Sequence, residues 1–437
     1  MRASRRRLVA LVALLLAVAA GVSAGGASSA PAVTIELGSA DAGVNALRVG
    51  VTHTQHSIDP RGSRTAIASA RELLRGIPMV QNQHIMGWGA GNPQPLPGRY
   101  DWRSLDARVQ LMRTTGGDPM ITLAVAPDWM KGGLPGTTNW SRIEAAPTVG
   151  HFDDFARLAQ QVALRYPDVR YFQVWNELKG FWDRSKNRWR YEDYTRLYNA
   201  VYDAVKEVRP DALVGGPYVV VDSWSSPKAA SHPSSLAGPW GVADQRSLDV
   251  ISYWLANARG ADFVALDAST KTKDGGLVTD PFTASRKFAD VNRWVRARTD
   301  LPIVWSEWRP SADSSDPRRQ LAIAAEGLVQ TATSGASAVL WWQPQGVGTS
   351  CTLCLWTDTR RLGGGRRAPA YDLVQGFGLA FPPGARWVVA TSSSPTVGVL
   401  ATSAAALLVN RTARTLTVSG VAGVDRLAPY EVRFVAR

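Results

Sequence analysis

The 437-residue sequence predicts an α/β fold, a (β/α)8 TIM barrel that carries a small C-terminal all-β domain. Three observations lead there. Apolar strand-like runs alternate with amphipathic helical runs about eight times between residues 45 and 380, the pattern of a parallel sheet with helices packed outside it. The first strand is followed by no Gly-rich phosphate loop, so an open doubly wound sheet is the poorer fit. After Phe381-Pro382-Pro383-Gly384 the pattern changes to short alternating strands.

Taken in order, the first strand falls near residues 46–52 and precedes a helix over 64–75. The second spans 79–85 with a helix over 105–114, and the third, 120–126, precedes a helix over 153–165. The fourth strand covers 169–175, and Pro210 stops its helix over 191–208. Val214-Gly215-Gly216-Pro217-Tyr218 carries the fifth strand, with the sixth at 263–266, the seventh at 303–305 and the eighth at 338–342. Helices over 248–258, 284–298 and 319–333 fit between them, and strands at 387–390, 405–410 and 415–419 make the appendage. The expected division is a signal peptide over 1–30, the barrel over 31–380 and the β domain over 381–437.

The N-terminus reads Met1-Arg2-Ala3-Ser4-Arg5-Arg6-Arg7, then an apolar run from Leu8 to Val22, then small residues with cleavage points after Ala24 or Ala30. That reads as a secretory signal rather than a membrane span, with an uncleaved N-terminal anchor as the alternative, so the expected location is outside the cell or in its envelope. The formal net charge is +13, of which the leader's arginines supply four. A basic surface favours anionic neighbours, and an exported protein meets acidic polysaccharide rather than nucleic acid, for which no motif is present. Solubility alone is the bland reading of the same charge. The two cysteines, Cys351 and Cys354, are too few for a zinc site, and the five histidines lack metal spacing; a short disulfide is expected, with no metal and no cofactor. The 17 tryptophans matter where they stand near strand ends, because an indole offers a flat apolar face of the kind that stacks on sugar rings.

In a barrel of this kind, polar side chains at the C-terminal strand ends point into the catalytic mouth. The fourth strand runs into Trp175-Asn176-Glu177 and the seventh into Trp305-Ser306-Glu307-Trp308, each putting one carboxylate among aromatics. Glycosidic cleavage needs two carboxyl groups with unequal tasks, one protonating the leaving oxygen and one attacking or activating water. The bland alternative for each is a loop-edge Glu bridged to an arginine such as Arg309.

These two motifs resemble the signature of the clan of retaining glycosidases called GH-A. Within it the chain looks most like glycoside hydrolase family 39, which contains β-xylosidases and α-L-iduronidases. The resemblance implies a general acid/base role for Glu177, a nucleophile role for Glu307, and a hydrogen bond from Asn176 to the sugar hydroxyl beside the anomeric carbon. His84, ending the second strand, resembles the family's strand-end histidine; a buried core histidine is its other reading. The arginine often found just before it is replaced by Asn82 or Gln83. A second departure is Asp267 at the sixth strand, where the family has His and Tyr. Trp341-Trp342 looks like the platform under the bound sugar, although alternation lets only one face the mouth, and Trp129 after the third strand is a further candidate for the same work.

The sequence is thus expected to encode a secreted retaining hydrolase of β-linked oligo- or polysaccharides, an anionic one by its charge. A non-catalytic carbohydrate-binding barrel and a transglycosylase using the same intermediate are the alternatives. Long segments near 127–150, 178–190, 221–241 and 343–367 would wall the mouth, as either an exo pocket or an endo cleft, and the oligomeric state is left open.

Overall fold

The structure is a computed structural model, and it describes residues 32–228, 232–311 and 314–437. The signal peptide expected over 1–30 lies outside them. Eight parallel strands close into a barrel in sequence order: β1 (Arg48–Thr52), β2 (Val80–His84), β3 (Asp118–Leu123), β4 (Tyr171–Val174), β5 (Leu213–Val220), β6 (Phe263–Ala268), β7 (Ile303–Trp308) and β8 (Ala338–Trp342). The expected TIM barrel with a β appendage is therefore the architecture found. The helices following the strands are α1 (Arg64–Arg75), α2 (Arg103–Thr114), α3 (Phe152–Arg165), α4 (Tyr191–Val208), α5 (Gln245–Asn257), α6 (Arg286–Arg296), α7 (Pro317–Thr333) and α8 (Pro369–Ala380). Their buried stripes, such as Phe155, Leu158, Ala159 and Val162 of α3, recur at helical spacing and face the barrel. No helix among the described residues is long and apolar enough to cross a membrane.

The barrel interior is layered by the period of two along each strand. At the bottom Val80, Met120, Phe263, Ala265, Val304, Ala338 and Leu340 form an apolar plug. Glycine is required where this plug is tightest: a Cβ on Gly50 would stand 2.4 Å from Leu340, and one on Gly215 2.4 Å from the Phe263 ring. One step up the strands the interior turns polar, with Thr52, Asn82, Thr122, Gln173 and Ser306 all buried. The mouth opens above them.

The boundary expected at residue 31 needs correction. Ala32–Val44 is a strand of the appendage, paired antiparallel with Arg386–Ser392 and parallel with Leu416–Ser419. Its Val33 and Ile35 are buried with Leu416, Val418 and Leu427, away from the barrel. The alternation that makes it a strand is local, whereas its partners lie at the other end of the chain. A second sheet, Val397–Ala401, Ala405–Asn410 and Val432–Ala436, completes the domain.

The barrel and the appendage are tied by an ion pair. Arg411 donates through Nε (3.0 Å) and Nη2 (2.7 Å) to Oε2 of Glu326, which is 2% exposed on α7. Arg411→Met strands that carboxylate and should cost about 3 kcal/mol. The double variant Glu326→Gln, Arg411→Met leaves no buried charge and should regain most of the loss. Urea unfolding of the four proteins checks this, and additive losses would show that the pair carries no coupling.

Candidate active site

Backbone irregularities, rather than regular strand ends, place the carboxylates of the mouth. Between β6 and β7 the register runs Leu266–Trp305 and then Asp267–Glu307, so Ser306 and Glu307 together oppose one step of β6. This bulge lets Ser306 point into the barrel while Glu307, its immediate neighbour, still faces the mouth. A second bulge lies between β5 and β6, where Ala265 pairs with Pro217 and Leu266 with Val219. The extra residue, Tyr218, has φ of 52°, and its hydroxyl donates to Oε1 of Glu307 at 2.8 Å. Past β4, Trp175, Glu177 and Leu178 also take positive φ, a strained turn that brings Glu177 over the barrel.

The carboxylates of Glu177 and Glu307 come together with that of Asp267, one oxygen of each lying within 4.8 Å of the others. Among the described residues no other three His, Cys, Asp or Glu side chains bring their ligand atoms this close together. Lys179 supplies a positive charge, its Nζ standing 3.3 Å from Glu177 Oε2 and 2.7 Å from Glu144 Oε1. Burial, then the Glu177 carboxylate, push Glu307 up to about 8, against the downward pull of the Tyr218 hydroxyl and the Lys179 ammonium. A negative charge at Glu177 thus works against a second one on Glu307, and the proton affinity of Glu307 is set by its neighbours.

Asn176 is buried, and its Oδ1 lies 3.2 Å from Nε2 of His84. Burial lowers His84 to about 4, so the ring is neutral, with the proton on Nε2 facing the amide oxygen. That leaves the Nδ2 donors of Asn176 without a partner among the described residues. Of the two adjacent indoles, Trp342 lines the mouth, whereas Trp341 is buried against Trp308 and donates Nε1–H to the Leu353 carbonyl. Trp129 is a packing residue as well: it is 9% exposed, donates to the Gln94 carbonyl and meets His151 edge-on. The structure therefore gathers His84, Asn176, Glu177, Glu307 and Trp342, and sets Trp129 and Trp341 behind them. Asn82 and Gln83 face opposite ways, Asn82 into the barrel toward Thr52 and Thr122, Gln83 outward to Arg108 of α2.

Tyr218 and Lys179 escaped the sequence reading. The Gly-Gly-Pro-Tyr string hints at an irregular strand, but nothing local says that the ring turns inward. The mouth holds a cavity of about 480 Å³ lined by Asp267, Glu307, Trp342, Lys271, Arg309 and Thr352, among others. Arg309 does not bridge either glutamate. Its Nη2 donates to the Thr352 carbonyl at 2.6 Å, within a loop closed by the Cys351–Cys354 disulfide.

Comparisons with known proteins bear on the family and the fold. The family model described as glycosyl hydrolases family 39 matches residues 97–343. A β-xylosidase from Caldicellulosiruptor saccharolyticus is 25% identical over 246 residues, 53% of this chain and 45% of the relative, so the match spans less than half of that protein's length. A monomeric β-xylosidase from Caulobacter crescentus CB15 superposes with a TM-score of 0.57 at 18% identity, over 87% of this chain and 77% of the other. A family 39 glycoside hydrolase from Bacteroides cellulosilyticus WH2 gives 0.56 at 15% identity, over 91% and 82%.

The Tyr218 hydrogen bond stabilises the anionic form of Glu307, so its loss must raise the proton affinity of Glu307 further. Tyr218→Phe should move the acid limb of kcat/KM to higher pH and lower its plateau about tenfold, the worth of one hydrogen bond to a charged group. An unchanged acid limb would mean that Glu307 need not ionise.

Proposed function

Since this chain belongs to the glycosyl hydrolases family 39 and is a glycoside hydrolase, we propose that it cleaves β-linked glycosides with retention through a covalent glycosyl-enzyme intermediate. The observation that carries the reading is the separation of the two carboxylates. One oxygen of each lies within 4.8 Å of the other, which supports the close carboxyl pair of double displacement, typically about 5 to 5.5 Å apart, over the wider pair of an inverting enzyme.

In this reading the Glu307 carboxylate attacks the anomeric carbon while Glu177 gives its proton to the departing oxygen. The bond to the aglycone breaks as the ester to Glu307 forms. Glu177, now a carboxylate beside the Lys179 ammonium, takes a proton from water, which attacks the same carbon and releases Glu307. Tyr218 holds one oxygen of Glu307 and leaves the other to react. Asn176, oriented by His84 through Oδ1, offers its free Nδ2 donors to the hydroxyl next to the anomeric carbon, and Trp342 supplies an indole face to the ring.

The substrate is an oligo- or polysaccharide with anionic character. Arg309 supports this: it lines the cavity, burial lowers its proton affinity, and its one hydrogen bond among the described residues goes to a backbone carbonyl rather than to a carboxylate. The leader over 1–30 supports export to where such polymers lie.

Glu177→Ala should cost about 10²- to 10⁴-fold with a poor leaving group and much less with an activated aryl glycoside. Azide should restore turnover and give the retained glycosyl azide. In Glu307→Ala any reaction with azide should give the inverted product, because no ester can form. Proton NMR of the azides decides it, and the opposite stereochemistry would reverse the two roles.

A further inference from the structure

Asp267 has no part in the two-carboxylate chemistry, yet it stands in the middle of it. It ends β6 beside Glu307 across the bulge, with an oxygen within 4.8 Å of both Glu177 and Glu307. It lines the cavity together with Glu307 and Trp342. Its backbone carbonyl accepts from the Val221 amide, but its carboxyl makes no hydrogen bond or ion pair with any described residue.

The groups that face it leave an excess of negative charge. From β7 comes Glu307, from the segment after β4 come Glu177 and Lys179, and from the end of β5 come Tyr218 and Asp222. Lys179 is held by Glu177 and Glu144, and Asp222 is paired with Lys273 at 2.7 Å. Lys287 of α6 approaches from behind, but its ammonium is engaged by Ser223 Oγ at 3.0 Å and the Ser269 carbonyl at 2.8 Å. Lys271 lies on the cavity wall beyond.

An ionised Asp267 could only accept hydrogen bonds, and its charge would work against the ionised Glu307 that the attack requires. A neutral one leaves the charge to Glu307 and keeps a donor facing the cavity. We propose that Asp267 is a specificity-determining residue that works as a neutral carboxylic acid, donating its O–H to a hydroxyl of the sugar bound between Glu177 and Glu307. The proposal rests on the retaining reading of the site. Burial, followed by the charges of Glu307 and Glu177, holds its proton affinity well above the ordinary carboxylate range, as the proposal needs. Sugars lacking that hydroxyl are then rejected, because the donor is left unpaired beneath the bound sugar.

Two measurements on the full chain test it. Carbon-13 NMR of aspartate-labelled wild-type protein reads the charge of Asp267 directly, its signal identified by its absence from Asp267→Asn or, if that variant does not fold, from Asp267→Ser. A carboxyl still neutral at pH 7 is expected, and one that titrates near 4, the ordinary aspartate value, overturns the proposal. Kinetics on an aryl glycoside then ask whether the donor touches sugar. Asp267→Asn keeps a donor of the same shape and should stay within about tenfold of wild type, with a shallower alkaline limb because nothing at that position can ionise. Asp267→Ala should lose on the order of 10- to 100-fold in kcat/KM. Equal damage by both substitutions, or a loss of less than about twofold in Asp267→Ala, overturns the donor role. The stereochemistry of the azide products is independent of all these readouts, so a failure of the retaining mechanism is told apart from a failure of this assignment.

Discussion

A closed circuit of hydrogen bonds across the middle of the barrel sets the register on which the mouth depends. Asn82 donates to Thr52 Oγ1 at 3.1 Å, Thr122 donates to Asn82 Oδ1 at 2.8 Å, and Gln173 donates to Thr122 Oγ1 at 2.6 Å. Ser306 donates to Gln173 Oε1 at 2.5 Å, and Thr52 closes the loop on the Ser306 carbonyl at 2.5 Å. These groups are buried, so each bond broken would leave partners without water to replace it, at about 1 to 3 kcal/mol per group. A slip of one residue in β1, β2, β3, β4 or β7 would break the circuit. The same strands carry His84, Asn176 with Glu177, and Glu307 immediately beyond it, so geometry fixed below is handed upward. Ser306 shows this most directly, being bonded on both sides and joined to Glu307 by a peptide bond.

Above the circuit the problem changes from satisfying polar atoms to distributing charge. Two full negative charges about 5 Å apart repel by roughly 3 kcal/mol at an effective dielectric of about 20, and three carboxylates meet here with an oxygen of each within 4.8 Å of the others. The barrel answers with a donor that suits an ionised Glu307, the Tyr218 hydroxyl, on one side, and with the Lys179 ammonium on the other. Lys179 also sits 5.6 Å from the Trp88 ring, which in turn packs 4.4 Å from His84. The Glu177–Lys179 side and the His84–Asn176 side of the mouth are therefore in mechanical contact.

Much of the fold could be read from the sequence because the signals are periodic and local. The helices over 64–75 and 191–208 and the strand over 338–342 run in the structure as the pattern predicts, since amphipathic spacing and Pro210 mark their ends. The two glutamates stand out as carboxylates directly after apolar strands. What escaped depends on contacts that spacing does not encode. Tyr218 faces inward only because β5 bulges, and Lys179 matters only because the turn after Glu177 folds back beside Glu144. Alternation leaves Trp341 and Trp342 equivalent until the Leu353 carbonyl claims the first. Trp129 lies in a segment long enough to reach the mouth, but it is spent on packing against His151.

The strand Ala32–Val44 lies against segments far along the chain: the amide of Thr34 and the Ser393 hydroxyl it binds are 359 positions apart. While a growing chain lacks residues 386–419, that strand has two unpaired edges and an apolar stripe of Val33 and Ile35. Such an edge can equally pair with the same sheet of a second molecule, the route to domain swapping. Asn45 opposes this by raising the effective concentration of the intramolecular partner. Its side chain donates to the Phe381 carbonyl at 2.7 Å, its amide to Ala385 at 2.8 Å, and its carbonyl accepts from Gly384 at 2.8 Å. This latch holds residues 386–392 beside the strand and so favours the intramolecular partner over the same segment of a neighbouring molecule.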